Sequence, residues 1–516
     1  MPKLIEISLK PHQALTEESI RDCIKRQYEI EGKAIIILKK SLDARSKKNI
    51  HYKIRASIHE NLESSINIAV YKPKKLTKKT CHIIGFGPAG IYAALELLSQ
   101  GIKPIVIERG KDVKERRRDL AAINKDLIVN ENSNYCFGEG GAGTYSDGKL
   151  YTRSKKRGDV EKVLKGFVQF GAIPSILFEA HPHIGTNKLP KIIEQMRLYI
   201  IESGGEVHFN AQLTDFEVCN QCIKSITINN NSIQKVDQLI LATGHSARDI
   251  FKLLLSKKIS IESKPFALGV RVEHPQILVD EMKYHCAERG IYLPPASYSL
   301  VNQVKQRGVF SFCMCPGGII APAMTAPNET VVNGWSPSKR NGAFANSGLV
   351  VQLFEDDFNA YQDKGPLAGM YFQAEVEKKC FESTGSIIAP AQLIGDFVRK
   401  KQSAKLNTNS YLPGLKSVEM ENILPPFIVD SLRLGISAFG KKMKGFDSNE
   451  GMMVATESRT SSPVRIPRDK LSLRHISIKN LYPCGEGAGY AGGIVSAALD
   501  GMACANAAIA IINLGK

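Results

Sequence analysis

Gly85-Phe-Gly-Pro-Ala-Gly90 sits where a short apolar strand gives way to a helix, and no other stretch of this chain limits its fold so tightly. The first glycine permits a tight turn, the second lets a pyrophosphate approach the backbone, and the third lets helix and strand pack closely. Pro88 and Ala89 open a helix whose free N–H groups and positive dipole end point at the same place. The pattern predicts a strand over 81–84, a helix over 89–100 and a second strand over 104–107, one βαβ unit. Glu108, followed by Arg109, closes that second strand about 20 residues on, where a carboxylate accepts from a ribose hydroxyl. The glycine pattern alone is weak; with strand, helix and carboxylate in place it points to a bound dinucleotide.

The rest of the chain supports an α/β protein of several parts. A helix over 189–203 and strands over 207–209, 216–218, 225–228 and 237–242 extend the first unit, the last strand ending in Thr243-Gly244. Residues 258–450 are irregular and rich in Pro and Gly, as expected of an inserted α+β substrate domain. A strand over 481–484, a glycine-rich turn and an Ala-rich helix then return to the first domain. The expected division is therefore a discontinuous Rossmann-type domain over 81–257 and 451–516, interrupted by the insertion. Before it, residues 1–71 read as a small ferredoxin-like α+β unit. Its strands fall over 4–9, 34–38, 50–58 and 66–71, its helix over 17–28, and a basic linker spans 72–80.

The run Ile83 to Gly110 resembles the amino-terminal FAD signature of glutathione-reductase-like flavoproteins. Asp237 to Gly244 resembles their "ATG" strand, and Leu481 to Gly487 their carboxy-terminal FAD motif, whose acidic residue is here Glu486. Over nearly its whole length the chain resembles the uncharacterised FAD-dependent dehydrogenases, often labelled NAD(FAD)-utilising dehydrogenases. Tyr135–Lys149, Arg271–Pro275, Phe312–Gly318 and Glu457–Ile466 carry that likeness. It implies FAD as cofactor and hydride transfer through the flavin N5, with no substrate specified. The implied FAD contacts begin with Gly85, Gly87, Pro88, Ala89, Gly90, Glu108 and Arg109. Gly140, Gly141, Ser146, Asp147, Gly148 and Lys149 follow, then Leu213, Thr243 and Gly244. The last group is Gly485, Glu486, Ala491, Gly492, Gly493 and Ile494, where a helix start can stabilise charge on the reduced ring.

Gly138 to Gly143 also satisfies the glycine pattern, but no strand precedes it and Ser146-Asp-Gly148 follows where a helix should run. It reads as a loop against the flavin, so no second dinucleotide domain is expected. NAD(P)H, as a transient electron donor, would dock over the ring in the cleft. Candidates for the substrate pocket are His181, His183, Arg271, Glu273, His274, Cys313, Arg459 and Arg465, roughly half of them expected to be structural. His274, Cys313 and Arg459 are the catalytic candidates. Cys313-Met-Cys315 and His181-Pro-His183 lack zinc-site spacing, so no metal is expected and the thiols read as buried beside a Pro-Gly-Gly turn.

The net charge of +18 is the one oddity of composition. It is spread over runs at 72–79, 114–118 and 153–157, which read as solvated faces. A nucleic-acid partner, and with it a flavin-dependent RNA-modifying enzyme, is the alternative, alongside a non-catalytic flavin-binding protein. The expected partner is a small-molecule substrate, and the oligomeric state stays open. Eleven cysteines and no secretory leader fit reduced thiols and a cytoplasmic protein. The apolar stretch 494–514, broken by Asp500, reads as a buried helix and not a membrane span.

Overall fold

The computed structural model describes residues 2–46, 49–60, 69–152 and 158–514. The expected strand over 66–71 falls mostly outside these, and so does the basic run at 153–157.

The glycine turn is embedded in a five-stranded parallel sheet, ordered Leu481–Pro483, Leu239–Leu241, Thr80–Ile84, Lys103–Ile107 and Glu206–His208. Thr80, expected in the linker, opens the central strand. The remaining linker is laid along this domain: Lys74 N–H donates to the Leu98 carbonyl at 3.0 Å and Thr77 N–H to Gly101 at 2.8 Å. Helices Pro88–Ser99 and Ile494–Leu514 pack together on the sheet through an apolar core that includes Ala93, Leu97, Ala498 and Ala505. Small side chains let the two helices come close, which explains the Ala-rich composition of the second. That helix is long and apolar enough to cross a membrane, yet 67% of its most apolar window is buried here. Asp500, the charge in it, pairs with Arg468 and accepts the Gly485 N–H at 2.7 Å. Cys484, Asp500 and Cys504 cluster closely enough to suit a metal, but Arg468 donates to both Asp500 and Cys504 and supplies the cation.

The second domain is built on an eight-stranded, largely antiparallel sheet. At its centre Ala267–Pro275 pairs with Phe344–Gln352 on one side and Met452–Glu457 on the other. All six residues of the latter strand are buried. The expected boundary at 451 is therefore displaced: a strand assigned to the closing segment belongs to the middle of the second sheet, and the chain re-enters the first domain beyond it. Helices Ala368–Thr384 and Pro426–Lys442 pack on this sheet.

At the amino terminus Lys3–Leu9, His51–His59 and Ala34–Asp43 form an antiparallel sheet covered by helix Glu17–Tyr28. Thr16 caps that helix by accepting the Ser19 N–H. The first strand alternates exposed and buried residues, as one solvated face requires.

Arg116 fastens the long glycine loop to this framework. Its guanidinium is fully buried and donates to the carbonyls of Asn134, Tyr135, Glu139 and Gly141 at 2.8–3.0 Å. Each buried carbonyl left without a donor costs about 1–3 kcal/mol. Arg116→Met is expected to destabilise the protein by at least ~3 kcal/mol in urea unfolding. Arg116→Lys, without the planar fork, recovers only part of the loss.

Candidate functional site

The two glycine-rich loops meet backbone to backbone. A Cβ on Gly141 would lie 3.1 Å from the Gly87 Cα, and Gly85, at φ +101°, would carry a Cβ 2.4 Å from the Ala242 carbonyl oxygen. Gly90 is needed for packing alone, since a Cβ there would sit 2.0 Å from the Gly85 oxygen. Beneath the turn the Glu108 carboxylate accepts three amides, from Phe86 at 2.8 Å, Gly110 at 2.9 Å and Gly138 at 3.0 Å.

These loops wall one side of a cavity of about 740 Å³ between the two large domains. Its floor is the turn at Gly85, Gly87, Pro88 and Ala89, with Glu108 and Arg109 at one flank. Gly141, Ser146, Asp147, Gly148, Lys149, Leu213, Thr243, Gly244, Gly485, Glu486 and Gly492–Ile494 also line it. Three expected contacts do not: Gly90 packs helix on turn, Gly140 turns its loop at φ +78°, and Ala491 rests on the first core. The opposite wall comes from the second domain through Phe312, Cys313, Asn333 and Arg459.

The cavity fits a dinucleotide on three grounds. Helices Pro88–Ser99 and Ile494–Leu514 both begin at it, presenting free N–H groups and positive dipole ends. A Cβ on Gly244, Gly492 or Gly493 would meet nothing, so the backbone there is open to a ligand. His245 and Ser246 also line it, and the His245 Nδ1 and Ser246 Oγ are buried without a hydrogen-bond partner. Sequence reasoning missed both, although they directly follow Thr243-Gly244. Burial, with Arg459 and Arg248 nearby, holds His245 down at about 4, so it is neutral at ordinary pH.

The candidate pocket residues separate sharply. His274, on the central strand of the second sheet, is buried with its Nε2 2.9 Å from the Phe446 carbonyl, and burial holds it at about 4. Glu273 faces a separate cavity, accepts from Ser410 and is pushed by burial up to about 7. His183 is bound to the Ser338 carbonyl, His181 packs on the Tyr151 ring, and Arg465 is exposed on a short strand. None of these five lines the large cavity. Arg271 lies just behind its wall, buried and paired with Glu457 at 2.7 Å.

Arg459 and Cys313 do line it. Arg459 is spoken for: it donates to Glu377, Glu329 and Thr325, and Arg248 grips the same two glutamates. Burial would push Glu377 up, but the two guanidiniums outweigh it and hold it at about 2. Arg459 is thus an anchor joining the domains. Cys313, expected to be buried, is exposed to the cavity at φ +45°, while Cys315 is buried. Lys149 Nζ lies 3.4 Å from Asp147, whose carboxylate also binds Arg340.

Residues 265–460 match the family described as FAD-dependent protein, C-terminal domain-like, and residues 1–59 match a domain of unknown function (DUF8436). An uncharacterised protein from Clostridium beijerinckii is 39% identical over 501 residues, 93% of each chain. Among solved structures, a geranylgeranyl bacteriochlorophyll reductase-like protein from Thermoplasma acidophilum is 13% identical with a TM-score of 0.34, covering 84% of this chain and 80% of its own. Glycine oxidase from Bacillus cereus is 12% identical with a TM-score of 0.31, covering 85% and 96%. Likeness that distant carries no argument about chemistry.

Burial pushes Glu486 up to about 7, against the pull of Lys264 and with the Cys313 sulfur adding to the rise. Its folded pKa thus exceeds its unfolded value of about 4.3. Between those values the native state binds more protons, so stability falls as pH rises through the window. Glu486→Gln is expected to shrink the drop in Tm between pH 5 and pH 8, the rest of the drop persisting through Glu273 and Glu457. An unchanged drop would show that Glu486 titrates normally.

Proposed function

Because the chain belongs to the same family as the Clostridium beijerinckii protein, and its second domain matches that of FAD-dependent proteins, we propose that it is an FAD-dependent oxidoreductase. The observation that carries this reading is the cavity on which two helix N-termini converge from opposite ends of the chain, with backbone open at Gly244, Gly492 and Gly493. Gly87 and the start of helix Pro88–Ser99 would hold the pyrophosphate by backbone N–H groups, without a cationic side chain, while the Gly85 N–H is taken by the Ile107 carbonyl at 2.8 Å. Glu108 would accept from the ribose while keeping its three amides. Ile494 and the glycines before it would hold the far end, with Glu486 beside them. FAD supplies the redox chemistry when bound; the chain supplies orientation, positive dipoles and exclusion of water. NAD(P)H is the proposed donor, and a small molecule entering along the second domain is the proposed substrate.

Purified protein loaded with FAD is expected to show the visible flavin absorbance and to bleach within seconds under anaerobic mixing with NADH or NADPH. Absence of any flavin band after loading would overturn the cofactor; bleaching with neither nucleotide would overturn the donor. Gly87→Ala adds a Cβ whose one neighbour within 4 Å is the Gly141 Cα, at 3.8 Å, an ordinary contact that the fold accommodates. It is expected to weaken FAD binding at least about tenfold, ~1.4 kcal/mol, in fluorescence titration.

A further inference from the structure

Cys313 and Cys315 stand on strand Arg307–Pro322 at the cavity wall, and the flavin reading gives neither a task. A regular strand sends such a pair to one face. Here the left-handed φ of Cys313 breaks the strand, and its pairing with Phe344–Gln352 shifts register between Phe312 and Cys315. Cys313 consequently opens to the cavity and Cys315 lies buried behind it. Both sulfurs still converge on one cation: Lys149 Nζ is 3.8 Å from the Cys313 Sγ and 3.7 Å from the Cys315 Sγ. The Arg271 guanidinium donates to the Cys313 carbonyl at 2.9 Å and lies 3.5 Å from the Cys315 Sγ.

The charges facing Cys313 are Lys149 and Arg271 against Asp147, with Glu457 and Glu486 close by. Asp147 is bound by Arg340 and Lys149, and Glu457 by Arg271, so the acids are matched and a thiolate is tolerated. The Cys315 thiol donates to the Cys313 carbonyl at 3.2 Å. Contact with that thiol draws the Cys313 thiol down; desolvation in the cavity wall opposes this, and Lys149 and Arg271 carry it well below the usual thiol range. The same contact and burial push Cys315 well above it. One sulfur is the nucleophile and the other keeps its proton until called on.

We propose that Cys313 and Cys315 form a redox-active dithiol that reduces small disulfides entering the cavity. The Cys313 thiolate attacks one sulfur of R–S–S–R, the S–S bond breaks and RS⁻ departs, leaving Cys313 joined to the other half. The Cys315 proton passes to the departed thiolate. The Cys315 sulfur then attacks the Cys313 Sγ and expels the second RS⁻. Two electrons move from the pair to the substrate, one thiol and one thiolate leave, the thiolate taking its proton from water, and a Cys313–Cys315 disulfide remains for a dithiol reductant to reopen. Lys149 is a positioning residue in this scheme, holding negative charge on sulfur.

The full-length protein, reduced with dithiothreitol and desalted, is exposed to oxidised glutathione, alkylated and mapped by mass spectrometry. The expected product is a single peptide carrying Cys313 and Cys315 that has lost two hydrogens. In Cys315→Ser one glutathione stays on Cys313, and in Cys313→Ser none is found on this peptide. Iodoacetamide is expected to label Cys313 at lower pH than Cys219, an exposed cysteine on the first domain. Lys149→Met is expected to raise the labelling midpoint of Cys313 by about one pH unit, roughly a tenfold change in thiolate fraction. Labelling of Cys313 no earlier than Cys219 in the unaltered protein, or a Cys315→Ser variant that sheds its glutathione, would overturn the proposal. No readout here uses the flavin, so this inference stands or falls apart from the cofactor.

Discussion

The Glu108 carboxylate is the point on which the cavity depends. A buried anion has to be matched, and here three backbone amides match it, each from a different loop. Those amides belong to the glycine turn, to the segment after the second strand and to the long glycine loop. One charge therefore sets the spacing of three walls. Arg116 answers from the other side with carbonyls in place of amides. The glycine loop is thus held between a buried anion and a buried cation, which gives a segment with little side-chain packing a defined shape.

The second wall is held in the same currency. Arg459 and Arg248 share Glu329 and Glu377, and the four side chains come from four separate stretches of the chain. Breaking one member of such a buried set leaves an uncompensated charge, which costs more than the set contributes over an apolar equivalent. The gap between the domains is consequently fixed by electrostatics on both faces, and that is why backbone can be left open to the cavity at Gly244, Gly492 and Gly493.

The first domain was largely legible in the sequence because its signals are local. Strand, turn, helix and strand from 80 to 107 follow from glycine chemistry and period, and the expected helices at 17–28 and 189–203 match within a residue. The second domain was not, because its facts are non-local. Met452–Ala455 is an apolar run that reads equally well in either sheet, and only its partners, far away in sequence, assign it. The histidines failed for a related reason: residue type says nothing of direction, and His274 points into a core. Cys313 was named but misplaced, since its exposure depends on a φ reversal, and Lys149, which gives it its electrostatic setting, lies far back along the chain.

The edge strand Leu481–Pro483 pairs with Leu239–Leu241, and the helix that covers the sheet follows it. During synthesis, the first sheet must therefore wait, one edge unpaired and helix Pro88–Ser99 without its partner helix, while the entire second domain is made. Nascent chains in that condition are vulnerable to sticking, and late closure slows folding through long loops. The second domain, whose central strands are all in hand by Glu457, is free to form first and hold the waiting edge apart from its neighbours.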